Sequence, residues 1–245
     1  MCTIATMCLA MTEWMNLEEL QQLLAMVDAF ESLPPPEIRS LAKRCSLERV
    51  RIRQTMVVEP QEHARRLIVL LSGRAQIYEP APRGRRFTVS VAEAGTVVGV
   101  AGLSARPRGL RVEALLPSLL CLVAWETFEG VVLRNPEVGL RLLRILGQRI
   151  GVLETRLADL AYKEVPARLA SLIERLVEAE GVMGPEGSRI ITPYTHQQLA
   201  SMIGANREAV SRAFKTLRER GAVEVRDRRI HVADPRALHR AAQQA

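Results

Sequence analysis

The chain has 245 residues and a net charge of +7 at pH 7, and 48% of its residues are hydrophobic. This length and composition allow two modest domains, each with a buried core, and they exclude a largely disordered chain. The longest apolar run, residues 114–125, contains Pro117 and is too short to span a bilayer, which requires about 20 residues. We therefore expect a soluble, cytoplasmic protein.

The N-terminal residues and the cysteines show no pattern typical of export or metal binding. Residues 1–11 are apolar, but they lack the positively charged start and the cleavage site of a secretory signal. The four cysteines, at positions 2, 8, 45 and 121, have no metal-ligand spacing. We therefore expect free thiols, no bound metal and no other cofactor.

Short β-branched runs follow in the first half of the chain. They cover residues 67–71, 75–78 and 87–91 and a segment from Val112 onward, and glycines punctuate them at positions 73, 84, 95 and 109. Such runs are typical of strands that are separated by turns. The pattern predicts a β-sandwich or β-roll.

A long helix is predicted after these strands. Asn135 suits an N-cap and Pro136 the first helical position, and no further proline occurs before Pro166. Apolar residues within it alternate intervals of three and four, and this leucine seam consists of Leu143, Leu146, Ile150, Leu153, Leu157 and Leu160. A monomer would leave such a seam exposed, so we expect it to form a homodimer interface. The alternative is that all or part of the seam packs against the β domain of its own subunit.

Two short helices joined at Gly204 are predicted over residues 196–215. Their apolar stripes consist of Leu199, Ile203, Val210 and Phe214, at intervals of four around the turn. Ala200 is small where the helices would cross, Gly204 allows the positive φ of a tight turn, and Asn206 suits the N-cap of the second helix. This pattern is typical of a helix-turn-helix motif, which indicates DNA binding.

The outward face of the second helix is polar and mostly charged. It carries Arg207, Glu208, Ser211, Arg212 and Lys215. Arg207 and Arg212 have the planar fork that bonds guanine O6 and N7, and Glu208 can accept a hydrogen bond from cytosine N4. The alternative is that these are solvated residues of an ordinary amphipathic helix.

A β-hairpin with a basic tip is predicted after Gly221. Residues 223–225 and 230–232 alternate around residues 227–229, as in a winged helix-turn-helix. Residues 195–230 contain eight Lys or Arg against four Asp or Glu, an excess of four in a chain whose total is +7. The positive charge is therefore concentrated at the motif, as binding to a phosphate backbone requires.

Residues 203–212 (IGANREAVSR), preceded by residues 190–195 (IITPYT), resemble the DNA-binding domain of the cyclic-AMP receptor protein and FNR (Crp-Fnr) family of bacterial transcription regulators. Residues 70–78 and 94–103 are similar to two glycine-marked segments of the cyclic-nucleotide-binding fold, and residues 17–45 to the helices that open it. The resemblance implies an α+β chain with three parts. They are a cyclic-nucleotide-binding-like β-roll domain with N-terminal helices over residues 1–134, a dimerisation helix over 135–163 and a winged helix-turn-helix domain over 164–245. Residues 163–165 are then the expected hinge between domains.

The resemblance also implies a homodimer that binds a near-palindromic DNA site and activates transcription through RNA polymerase. An effector-gated repressor, or a cyclic-nucleotide-binding signalling module without a DNA-binding role, are the alternatives. We expect base contacts from Arg207, Glu208, Ser211 and Arg212. We expect DNA backbone contacts from Thr195, Gln197, Asn206, Lys215 and Arg228, although Thr195 and Gln197 could equally be cap residues. An enzyme is not expected, because the sequence has no nucleophile elbow, no phosphate loop and no paired histidines on one helix.

Arg207 resembles the cyclic-AMP receptor branch of the family, whereas Glu208, Ser211 and Arg212 resemble the FNR branch, and a half-site similar to TGTGA is the expected target. The FNR branch carries an iron–sulfur cluster, but the cysteine spacing here does not match one. Haem is not expected either, because His63 is the lone histidine of the β-roll segment.

The nucleotide pocket departs from the family pattern. Val100 occupies the position of the glutamate that binds the ribose in nucleotide-binding members, and Gly109 that of the phosphate-binding serine. Arg106 or Arg108 could supply the arginine, but Leu153 and Glu154 stand where the dimerisation helix would offer hydroxyls to the base. Each lost hydrogen bond is worth about 1 kcal/mol, so we expect cyclic AMP not to be a tight ligand. The candidate effector pocket is then Gly99, Val100 and Arg108, for an unknown effector.

Overall fold

The computed structural model describes residues 15–58, 66–80, 86–99, 110–184 and 187–244. The chain divides into two compact units. The first unit comprises Met1–Glu79 and Ser90–Arg149, and the second comprises Pro80–Val89 and Ile150–Ala245. No helix in the described part of the chain is long and apolar enough to cross a membrane.

The first unit begins with helical segments and continues with strands. Its helices are α1 (Leu17–Ala25), a short 3-10 helix (Asp28–Phe30), α2 (Pro35–Ala42), α3 (Trp125–Arg134) and the first half of α4 (Pro136–Tyr162). Its strands are β1 (Cys45–Val50), β2 (Thr55–Val58), β3 (Arg66–Ser72), β4 (Arg74–Pro80), β5 (Arg86–Glu93), β6 (Thr96–Gly99), β7 (Leu110–Ala114) and β8 (Ser118–Ala124). Residues 86–89 of β5 belong to the second unit. Asn16 begins α1 with a capping box that it forms with Glu19.

The strands form two four-stranded sheets, in the orders β1-β8-β3-β6 and β2-β7-β4-β5. Alternate residues of β3 and β8 face opposite sides of their sheet. One set packs in a core shared with the second sheet: Ile68, Leu70, Leu120 and Leu122. The other set packs against the helices: Leu67, Val69, Leu71, Leu119, Cys121 and Val123. Both faces are therefore buried, which explains why these strands are nearly continuous apolar runs and confirms the predicted β-roll.

Cys45 and Cys121 are free thiols on neighbouring strands of the first sheet. Cys45 is half-buried and Cys121 is buried, and both side chains pack on the helix-facing side. A hydrogen bond between the two thiols raises the pKa of Cys121, with burial as the second cause, and lowers the pKa of Cys45. Cys2 and Cys8 lie outside the described residues. Within the described ranges no three potential metal ligands come together.

Helix α4 runs without interruption from Pro136 to Tyr162, as its N1 proline and leucine seam predict. Val138 and Leu142 on its first half are buried in the core of the first unit, and Leu146 of the seam packs partly against that core. The other seam residues remain exposed, by 39 to 68%: Leu143, Ile150, Leu153, Leu157 and Leu160. Within the first unit, Leu146 is therefore partly covered by the core, whereas Leu143 is not.

The second unit contains the rest of α4 and a compact set of helices around a small sheet. Its further helices are α5 (Val165–Glu180), α6 (His196–Ile203), α7 (Arg207–Glu219) and α8 (Pro235–Ala242). Its strands are β9 (Gly181–Gly184), β10 (Gly187–Ile190), β11 (Val223–Arg226) and β12 (Arg229–Val232), in the sheet order β11-β12-β10-β9. Helix α5 contacts α6, α7 and α8, with Leu169 and Ile173 fully buried.

The predicted hairpin after Gly221 is present as β11 and β12. Asp227 and Arg228 have φ values of 50° and 61°, and Arg226 pairs with Arg229 across the turn. Positive φ at both central residues is typical of a two-residue turn that matches the twist of the strands. Arg228 is therefore at the tip, whereas Arg229, which we expected at the tip, is the first residue of β12.

Candidate DNA-binding site

Helix α6 is capped at its start and buried along most of its length. The Thr195 side chain accepts from the backbone N–H of Gln198, and the Gln198 side chain accepts from the backbone N–H of Thr195, at 2.9 Å. Thr195 therefore has the role of an N-cap, one of the two roles that the sequence left open. Gln197 is exposed, whereas Leu199 and Ala200 have no exposed surface.

The turn between the two helices has the geometry that the sequence predicts. Gly204 has a φ of 64°, in the left-handed region, and a Cβ at this position would lie 2.9 Å from Cδ2 of Leu160. The N–H of Ala205 donates to the carbonyl of Ala200 at 3.0 Å. Asn206 begins α7 by accepting from the N–H of Ala209 at 2.7 Å. Glycine and asparagine together thus set the angle at which α7 leaves the turn.

Helix α7 has one buried face and one exposed face. Its buried residues are Val210, Ala213, Phe214 and Leu217, which pack toward the unit's core. The predicted outward residues are all exposed: Arg207, Glu208, Ser211, Arg212 and Lys215. Arg228 at the hairpin tip and Asn206 at the cap are exposed as well. Lys215 lies 3.8 Å from Glu219, and within the described ranges no ion pair involves Arg207 or Arg212.

His196 contributes to this motif and was not predicted from the sequence. Its ring stacks on Phe214 with the centroids 5.4 Å apart, and its Nδ1 lies 2.9 Å from the hydroxyl oxygen of Ser211. That hydroxyl also donates to the carbonyl of Arg207 at 3.0 Å. Burial, and then the positive charge of Arg207, lower the pKa of His196. A neutral imidazole therefore connects the start of α6 to the exposed face of α7.

Glu180, at the end of α5, is a second residue that sequence reasoning missed. Its carboxylate is buried and accepts from the backbone N–H of Thr192 at 2.9 Å, from the Thr192 hydroxyl at 2.5 Å and from the Tyr194 hydroxyl at 2.8 Å. These contacts hold the segment that leads into α6. No local pattern marks them, because the partners are 12 and 14 residues away along the chain.

The candidate effector pocket falls mostly outside the described residues. Two of its three predicted residues, Val100 and Arg108, are outside the described ranges. The same holds for Arg106, Gly109 and His63. Gly99 ends β6, opposite Ile68 of β3. On α4, Leu153 and Glu154 are exposed, at the positions where hydroxyls would face a base.

Comparisons with known proteins agree with this architecture. Residues 52–135 match the model of the cyclic nucleotide-binding domain, and residues 167–241 match that of the Crp-like helix-turn-helix domain. The chain is 30% identical over 189 residues to the global nitrogen regulator of Synechocystis sp., a stretch that covers 76% of this chain and 84% of that protein. The chain belongs to the Crp-Fnr family.

Two further proteins are similar to this chain over most of its length. The CRP-like cAMP-activated global transcriptional regulator of Mycobacterium tuberculosis is 24% identical over 224 residues, covering 91% of this chain and all of that protein. The structure of FixK2 from Bradyrhizobium japonicum matches with a TM-score of 0.68 and 20% identity, over 82% of this chain and 98% of that chain. The structural likeness shows the fold, and the relatives are transcription regulators by name. The predicted family and its helix-turn-helix DNA-binding domain are thus confirmed.

Proposed function

We propose that this Crp-Fnr regulator binds a near-palindromic DNA site as a homodimer, with α7 of each subunit in the major groove. The observation that carries the proposal is the form of α7, which begins at an asparagine cap, buries one apolar face and leaves Arg207 and Arg212 exposed without ion pairs in the described part of the chain. A helix of this kind can present guanidinium groups to base edges at no cost of breaking internal contacts.

We assign base contacts to Arg207, Glu208, Ser211 and Arg212, and the expected half-site is similar to TGTGA. The backbone contacts are assigned to Thr195, Gln197, Asn206, Lys215 and Arg228. Thr195 and Asn206 serve as caps at the starts of α6 and α7, where exposed N–H groups also favour a phosphate. Arg228 at the tip of the two-residue turn can reach the backbone beside the groove.

A gel-shift titration with a palindromic duplex tests the readout by α7. Arg207→Ala and Arg212→Ala should each lose about 1–3 kcal/mol of discrimination between the palindrome and a scrambled duplex. Arg236→Ala removes the same charge from an exposed position on α8 and should retain discrimination. Equal discrimination in all three variants would show that another element reads the sequence.

The exposed leucine seam supports the homodimer. Leu157 is 68% exposed and Ile150 is 56% exposed, so a second copy of α4 would bury apolar side chains that a single subunit leaves in water. We assign dimerisation to residues 135–163 and DNA binding to residues 164–245, with a hinge at residues 163–165. Pairing would place two recognition helices about 34 Å apart, in successive major grooves.

Light scattering of matched variants tests the dimer. Leu157→Glu should produce monomers, because it places a charge in the seam. Ala158→Glu is the control: Ala158 is the next residue along the helix and is also exposed, but it lies outside the seam, so dimers should remain intact. Monomers in both variants, or dimers in both, would contradict the assignment of the seam.

The proposal extends to effector and polymerase. We propose that cyclic AMP is not a tight ligand, since Val100 and Leu153 cannot replace the expected polar groups, and micromolar binding in titration calorimetry would overturn this.

We further propose activation through RNA polymerase, which is supported by the family likeness alone. Transcription in vitro from a promoter with the bound site tests the sign: higher output supports activation and lower output indicates repression.

A further inference from the structure

An open pocket in the second unit carries more positive than negative charge. It is open to solvent and lies between Phe87 of β5, the end of α4, α5 and the end of α6, all within the second unit. Its polar lining consists of Arg156, Asp159, Arg168 and Arg175. None of these residues belongs to the outward face of α7 or to the β-roll pocket.

Arg156 is a largely buried cation whose guanidinium donates to backbone carbonyl groups. Its Nη1 donates to the carbonyl of Val89 at 2.5 Å, and its Nη2 lies 3.4 Å from the carbonyl of Met202. Burial, followed by repulsion from Arg175, lowers the pKa of Arg156 to about 10. No carboxylate forms an ion pair with it among the residues that the structure describes. A buried charge of this kind is stabilised by any anion that reaches it.

Arg168 lines the same pocket and has one side-chain donor that is unused among the described residues. Its Nη1 donates to the carbonyl of Ile203 at 3.0 Å, at the end of α6. Its Nε is buried and has no hydrogen-bond partner in the part of the chain that the structure describes. A buried donor without an acceptor costs free energy that a bound oxygen atom would recover.

Asp159, the lining carboxylate among the described residues, is already shared. Asp159 lies 2.8 Å from Nζ of Lys163 and 3.4 Å from Nη1 of Arg175. Among the described residues the pocket region thus holds four cations, Arg156, Arg168, Arg175 and Lys163, against one anion. The excess of three positive charges is partly shielded from water, where it attracts an oxyanion more strongly than at an open surface.

We propose that this pocket binds a phosphate-class oxyanion, held by the guanidinium groups of Arg156, Arg168 and Arg175. Guanidinium groups bond phosphate oxygens through paired N–H donors, and several of them together match a dianion in charge and geometry. Met202 and Ile203, which line the pocket, are the last residues of α6 in the helix-turn-helix. A bound anion therefore braces the helix that positions α7.

Titration calorimetry on the full chain, at constant ionic strength maintained with chloride, tests the proposal. The ligands are inorganic phosphate, adenosine monophosphate and adenosine. Saturable binding of both phosphate ligands is expected, and its absence would overturn the proposal. Equal affinities would identify a free oxyanion as the ligand, whereas tighter binding of the ester would identify a phosphorylated small molecule. Binding of adenosine equal to that of its monophosphate would overturn the role of the arginines.

Variants locate the bound anion. Arg168→Gln should weaken phosphate binding by about tenfold or more, since a charged hydrogen bond is lost. Arg168→Lys keeps the charge without the Nε donor and should also weaken it, which covers the case in which Arg168→Gln does not fold. Arg144→Gln removes one charge from an exposed position on α4 and should bind as the wild type does. Loss of binding in Arg212→Ala, with retention in Arg168→Gln, would place the anion on the DNA-facing helix and overturn the proposal.

Discussion

The two helices of the helix-turn-helix motif differ in how much of their surface is buried. Helix α6 buries Leu199, Ala200, Ser201, Met202 and Ile203 in succession, so that nearly its whole circumference is in contact with protein. Helix α7 buries only every third or fourth residue and leaves a cationic face in water. Burial thus suits α6 to hold the motif in position, and the exposed face of α7 is the one to which we assign DNA recognition. Substitutions in α6 should therefore alter stability first, and substitutions on the face of α7 should alter DNA binding alone.

The largest effect is expected from a cavity in α6. Leu199→Ala should lower the free energy of unfolding by about 2–5 kcal/mol, because Leu199 is fully buried and its removal leaves unfilled space. Urea denaturation followed by circular dichroism measures the loss. Gln197→Ala, on the exposed side of the same helix, should change stability by no more than about 0.5 kcal/mol. A small effect of Leu199→Ala would show that α6 is not the positioning helix.

A smaller loss is expected at the turn between the helices. Gly204→Ala should cost about 1–2 kcal/mol, because its φ of 64° is strained for a residue with a Cβ. The new methyl would also meet Leu160. Gly147→Ala is the matched control, since nothing lies within 4 Å of a Cβ there. In the middle of α4 it should stabilise by about 0.5–1 kcal/mol. Thermal unfolding measures the change in stability of both variants. A change in the same direction for both would contradict the structural account of the turn.

On the exposed face of α7, the change should appear in DNA binding and not in stability. Lys215→Ala should weaken binding to all sequences alike and reduce the slope of log affinity against log salt concentration by about 1, as the loss of one phosphate contact requires. Its urea midpoint should match the wild type, because Lys215 is exposed and its ion pair with Glu219 is solvated. A shifted urea midpoint with an unchanged salt slope would contradict the assignment of DNA binding to the exposed face of α7.

The smallest effect is expected from His196, which joins the two helices. The pKa of His196 is lowered in the folded state. When the pH falls below the ordinary pKa of histidine, the unfolded chain therefore binds more protons than the folded chain. The stability that the neutral form contributes is present above about pH 6.5 and is lost as the pH falls through the folded pKa. Between about pH 7.5 and about pH 5.5, the free energy of unfolding should therefore fall more steeply for the wild type than for His196→Gln. Parallel curves would show that the imidazole does not titrate with folding.

Much of the fold is predictable because its signals are local. The asparagine and proline at positions 135–136, the glycine at 204 and the asparagine at 206 act through their own backbone, and the structure places helix boundaries at each of them. Helix α8 carried a similar signal that the sequence reasoning did not use, since Asp234 caps it and Pro235 follows at the first position. Strands β9 and β10 are short and contain three glycines, which gives too little alternation to predict them.

Sequence patterns alone predict the family, the order of β-roll, long helix and winged helix-turn-helix, and the residues that face outward on α7. These follow from caps, periodicity and turn residues, whose effects extend over a few positions. Which charged and polar groups find partners depends on tertiary packing. Glu180 holds Thr192 and Tyr194, His196 lies against Phe214, and Arg156 and Arg168 are left without counter-ions among the described residues. The physical reason is that burial and hydrogen bonding depend on residues that packing brings together from distant parts of the chain.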